Sequence, residues 1–124
     1  MKSVSMHVVP LLALFLLTFT LTASSPGDDE APTIKQIMKD GFKGGLVRSV
    51  GTGKATPEEQ QKLLKFAQQM EKLNPPQGEA DSWKEKTKAF TSAVQAVIDG
   101  DEGAAAQLMK ASNCAACHKP HKPS

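Results

Sequence analysis

The chain has 124 residues, with 15 lysines and arginines against 13 aspartates and glutamates, 5 % aromatic residues and two cysteines. Such a length holds one domain, and so even a charge balance excludes a nucleic-acid binder and a binder of acidic membrane surfaces. The lysines read as an ordinary solvated surface.

Lys2 is followed by an apolar run from about Val8 to Phe19, broken only by Pro10 and Thr18, and then by the small residues Thr22-Ala23-Ser24-Ser25. This order predicts a secretory signal peptide over residues 1–23, with a retained N-terminal anchor as the alternative. The run is short for a membrane span, so no stable membrane insertion is expected once it is cleaved. Loss of residues 1–23 removes Lys2 and leaves 14 basic against 13 acidic side chains. Residues 24–31, rich in proline, glycine and acids, read as a flexible leader to a folded domain over residues 32–124.

Helical periodicity begins at Pro32-Thr33, with Thr33 as N-cap. Ile34, Ile37, Met38, Phe42 and Leu46 supply an apolar face at spacings of three and four. Gly41, Gly44 and Gly45 weaken this first helix by about 1 kcal/mol each against alanine. Gly41 and Gly45 share a face, where either a flat ligand or another helix comes close, or the helix frays. Gly51-Thr52-Gly53-Lys54 is a loop whose spacing does not match a phosphate-binding loop.

Thr56-Pro57-Glu58-Glu59 opens a second helix with an N-cap, a first-turn proline and a capping-box glutamate. Its stripe is Leu63, Phe66, Ala67, Met70 and Leu73, and Asn74-Pro75-Pro76 ends it. Asp81 or Ser82 is the expected cap of a third helix that carries Trp83, Thr87, Phe90, Val94, Val97 and Ile98 on one seam and stops at Asp99-Gly100. A fourth is expected from Asp101-Glu102 through Ala104, Ala105, Leu108, Met109, Ala111 and Ala115 to Pro120. Four amphipathic helices joined by short loops predict an all-α fold, an antiparallel up-down-up-down four-helix bundle.

Cys114-Ala115-Ala116-Cys117-His118 uses both cysteines of the chain. Cys-x-x-Cys-His is the spacing by which haem is tied covalently to protein: each cysteine forms a thioether to one vinyl group, and the next histidine falls beneath the iron as an axial ligand. Three other readings use the same residues. A thioredoxin-like redox pair normally follows a strand in a βαβ unit, a pattern this sequence does not carry. A zinc site would recruit Cys114, Cys117, His118 and His121, yet the adjacent Cys117 and His118 would have to converge on one small ion. A disulfide across two intervening residues closes a small, strained loop and adds little stability. In bacteria haem is joined to this motif outside the cytoplasmic membrane, so the motif and the signal peptide support each other.

His118 lies at the C-terminal end of the fourth helix, a level shared in an antiparallel bundle with the start of the first helix, the end of the second and the start of the third. The candidate pocket is therefore Met38, Phe42, Met70, Trp83, Thr87 and Phe90. Met109 is excluded as an iron ligand, about 13 Å back along the same helix at 1.5 Å per residue. A methionine at the sixth position raises the potential and gives a six-coordinate electron carrier, whereas a merely apolar lining leaves five-coordinate iron that captures small gases. Met38, on the face shared with Ile34 and Phe42, is the first choice; Met70 and an open site are the alternatives. His121, on the same side of the haem as His118, is expected at the surface, and Lys122 either near a propionate or in solvent.

On these residues the chain resembles the class II c-type cytochromes, the family of cytochrome c prime and its low-spin relatives, which are four-helix bundles with Cys-x-x-Cys-His near the C-terminus. The likeness rests on Cys114-Ala115-Ala116-Cys117-His118, on Lys122 four residues later, and on Trp83 with Phe90 seven residues on. Ile37-Met38-Lys39-Asp40 is similar to the stretch that supplies the methionine ligand in the low-spin branch. The resemblance implies Cys114 and Cys117 as thioether sites, His118 as proximal ligand and Met38 as distal ligand. Cytochromes c prime usually carry an arginine in the first helix near the haem; here Ile37 stands at about that place and Arg48 comes much later, which favours the electron carrier over the gas-binding branch.

The expectation is an exported, periplasmic haem c protein passing single electrons between redox partner proteins, with a homodimer implied by the pairing of related bundles. No nucleophile–base pair and no paired carboxylates converge, so no enzyme is expected. The alternatives are a five-coordinate haem protein binding NO or CO, and a zinc or disulfide module without haem.

Overall fold

Thr33 and Thr56 begin their helices in the same way. The Thr33 hydroxyl accepts from Gln36 N at 3.3 Å while the Gln36 side chain accepts from Thr33 N at 2.7 Å. Thr56 and Glu59 repeat the exchange at 3.2 and 2.8 Å, so two orphan donors are satisfied at each start. The computed structural model describes residues 30–124, and the expected signal peptide and most of the leader lie outside them. All regular structure among the described residues is helical.

The first helix is not continuous. After α1, Ile34–Ile37, the backbone widens into a π-helical segment, Met38–Lys43, and breaks at Gly44 and Gly45 before α2, Leu46–Gly51. Gly45 adopts φ 82°, a left-handed conformation that glycine enters at no steric cost. Gly41 answers the question left by its spacing: it is buried, and a Cβ there would stand 3.3 Å from the Phe66 ring. The neighbour it admits is another helix. Gly45, expected to share that face, has open space around its Cβ position instead.

Helix α3, Pro57–Lys72, and helix α4, Ala80–Asp99, are unbroken and pack along each other. The expected cap at Asp81 or Ser82 is not used. The N-cap is Glu79, without a side-chain bond, and Ser82 sits in the first turn with its hydroxyl committed to His121.

The expected fourth helix is two helices. Gly103, not Asp101-Glu102, precedes the first turn of α5, Ala104–Ala111, and a break at Ser112-Asn113 separates it from α6, Cys114–His121. The cause is Asn113, whose side-chain oxygen accepts from Ala115 N at 3.0 Å and Ala116 N at 3.2 Å. An asparagine that caps a new helix competes with continuation of the old one. Pro120, expected to close the helix, lies inside α6.

The core forms where α2, α3, α4 and α5 meet. Ile37, Val50, Leu63, Val94 and Leu108 are fully enclosed, with Phe66, Ala67, Met70, Trp83 and Phe90 around them. Burying one such side chain contributes roughly 1.5–3 kcal/mol. Met109, expected on the inner stripe of the fourth helix, is 52 % exposed, and Ala105 and Ala115 are exposed as well. The break at Asn113 ends the single stripe that would have carried Ala115 inward.

Candidate functional site

Helix α6 carries the whole Cys-x-x-Cys-His motif on two turns. Cys114 is exposed, Cys117 is half-buried and His118 is exposed. Both thiols are free. Burial pushes the Cys117 thiol above its usual range; Lys86 of α4 pulls it back and Cys114 adds to the rise. Helix α6 packs on α4.

His121 departs from expectation. It is 2 % exposed rather than at the surface. Nδ1 lies 3.0 Å from the Gln77 carbonyl oxygen and Nε2 lies 3.2 Å from the Ser82 hydroxyl. With both ring nitrogens engaged there, His121 does not join Cys114, Cys117 and His118, and the zinc reading loses its fourth ligand. Its burial was readable in principle: Cys114, Cys117 and His121 fall at spacings of three and four, a helical stripe that deepens from exposed to half-buried to buried. Apolar periodicity alone does not mark the stripe, because its buried member is a polar histidine. Lys122 is exposed.

The other expected pocket residues divide into two groups. Trp83, Thr87 and Phe90 lie on one buried face of α4, at 5 %, 2 % and 3 % exposure. Their polar atoms are turned to protein: Trp83 Nε1 donates to the Met70 and Leu73 carbonyls at 3.1 and 2.8 Å, and the Thr87 hydroxyl donates to Trp83 O at 3.0 Å. Met70 is buried with them. Met38 and Phe42, from the π segment, are half-buried against the same core. Phe42 and Phe90 bring the groups together, their ring centroids 5.4 Å apart and their planes inclined at 30°.

Met38 is thus carried on a wide turn. A π segment of this kind is rare in soluble proteins and often marks a functional position. Two shallow surface grooves, one along α3 by Pro57 and Lys65 and one between α3 and α4 by Leu64 and Thr91, do not involve the motif.

The donor chemistry of α6 fits a covalently held haem. Two unpaired thiols one turn apart can each take a vinyl group, and the following imidazole is accessible. No helix among the described residues is long and apolar enough to cross a membrane. No protein-family model, curated protein or solved structure matches the chain.

Proposed function

We propose that the chain is an exported, periplasmic haem c protein that carries single electrons. The observation that carries this reading is α6 itself: the two cysteines of the chain, unpaired and one helical turn apart, with an accessible imidazole directly after the second. Cys114 and Cys117 would hold the haem, and His118 and Met38 would bind its iron. Haem c supplies one-electron iron chemistry when bound, and the protein tunes it by ligand choice, burial and hydrogen bonding. Phe42, Trp83 and Phe90 would give a bound haem apolar neighbours on the protein side.

In the same reading the fold is an antiparallel up-down-up-down four-helix bundle. The segment from α1 to α2 is its first helix, α3 and α4 are the second and third, and α5 with α6 is a broken fourth. The contacts of α2 with α3, α4 and α5, and the short connections between elements, support it. Residues 103–124 contain Lys110, Lys119 and Lys122 but no aspartate or glutamate.

The test is the visible spectrum of the purified exported protein and of Met38→Ala. The wild type shows low-spin iron with a methionine-sulfur charge-transfer band, and the substitution converts it to high-spin. An unchanged spectrum in Met38→Ala removes Met38 as ligand. Carbon monoxide binding to the untreated ferrous wild type identifies a five-coordinate gas binder instead.

A further inference from the structure

His121 is the most deeply buried residue of α6, and it is polar. The Gln77 carbonyl can only accept, so Nδ1 donates to it at 3.0 Å, while Nε2 pairs with the Ser82 hydroxyl at 3.2 Å. The ring stands edge-on to Trp83, centroids 5.4 Å apart and planes at 77°. Gln77 reaches back in turn, its side-chain nitrogen donating to Lys122 O at 2.8 Å.

The turn before α4 is shaped to this ring. Gly78 sits at φ 82°, and a Cβ there would collide with the Pro120 carbonyl and stand 2.9 Å from His121 Nδ1. Through His121 the tail of α6 is joined to the loop at Gln77 and the first turn of α4, and through Trp83 to the end of α3. The other end of α6 is capped by its own neighbour Asn113, and Cys114 there is exposed.

Position decides what this clasp does. At 1.5 Å per residue, His121 is about 6 Å along the helix axis from Cys117 and about 4.5 Å from His118. Cys114, Cys117 and His121 share one stripe, so a ring fixed at both nitrogens and on its edge fixes the rotation of α6 about its own axis. We propose that His121 is the positioning residue of the site: by clasping Gln77, Ser82 and Trp83 it sets the rotation of α6 and with it the directions in which Cys114, Cys117 and His118 point. The inference rests on the haem reading of Cys114 to His118.

The experiment uses the exported full-length protein with its haem. His121→Phe keeps a ring against Trp83 and removes both hydrogen bonds, whereas His121→Asn keeps a donor for the Gln77 carbonyl. Covalent haem content stays at the wild-type level in both, because the cysteines are unchanged. At a fixed redox poise the ferrous-to-ferric ratio of His121→Phe falls about tenfold, 59 mV for a one-electron couple, and His121→Asn recovers most of the difference. A role in core packing alone would lower the unfolding temperature of His121→Phe and leave the ratio unchanged, and that result overturns the proposal. A wild type without covalent haem sinks the reading of the site instead. The clasp is then measured on the haem-free chain: His121→Phe speeds alkylation of half-buried Cys117 about tenfold if His121 holds α6, and an unchanged rate overturns it.

Discussion

Helices α3 and α4 on one side, and the broken segments α1 to α2 and α5 to α6 on the other, are built by opposite rules. The first pair runs 16 and 20 residues without interruption and supplies most of the buried side chains, although the fully enclosed Ile37, Val50 and Leu108 come from the second set. In the second set the chain widens at Met38–Lys43, turns at Gly44-Gly45, and restarts at Asn113. The proposed iron ligands, Met38 and His118, both belong to the interrupted set. Regular helices of this length gain their stability from a continuous apolar face, while an interruption re-aims a few side chains at a cost in stability. On the proposed reading the regular pair mainly holds the domain, while the interrupted set shares that core and also aims the proposed ligands.

The largest effect falls in the regular pair. Leu63→Ala, at a fully enclosed site on α3, costs about 2–5 kcal/mol in denaturant unfolding while the folded protein keeps its wild-type visible spectrum. A spectral change in the folded variant would break the separation.

Gly44→Ala probes the interrupted set. A Cβ there would stand 2.6 Å from the Asp40 carbonyl oxygen, a backbone atom, so the π segment must shift. The expected loss is about 1–3 kcal/mol, with a weakened methionine-sulfur band because Met38 rides on that segment. A smaller effect distinguishes the two capping boxes. Thr56→Ala costs about 1 kcal/mol at the head of α3, and Thr33→Ala costs less, since it caps a helix of only four residues; equal losses by thermal unfolding would show that α1 matters more than its length implies.

The smallest effect is kinetic. In haem-free chain Cys114 reacts with an alkylating reagent faster than Cys117 near neutral pH. The raised pKa of Cys117 leaves less thiolate at a given pH, so the gap narrows as pH rises through the range where Cys117 ionises. Equal rates at neutral pH would contradict the packing of α6 on α4.

Much of the regular pair was legible in the sequence. Thr56-Pro57-Glu58-Glu59 is a local signal with a local cause, and the stripes from Leu63 to Met70 and from Trp83 to Val94 repeat at helical spacing because one face must be buried. The interruptions were less legible. Periodicity continues across Met38 to Leu46 whether the turn is α or π, so the widened segment left no mark beyond its glycines. The break before α6 depends on whether Asn113 turns its side chain onto Ala115 and Ala116 or into solvent, a local contest that spacing alone does not decide. Of the site, the motif was plain from Cys114 to His118, and His121 was misplaced because its partners, Gln77 and Ser82, lie about 40 residues away in the chain.

The central claim is that Cys114 and Cys117 are bonded to one haem. Intact mass measurement of the exported protein, acid-extracted and denatured, tests it directly, beside Cys114→Ala/Cys117→Ala. The account predicts that the wild type retains the mass and colour of one haem through that treatment and that the double variant retains neither. A denatured wild type at the bare mass of its polypeptide, with two titratable thiols, would contradict it.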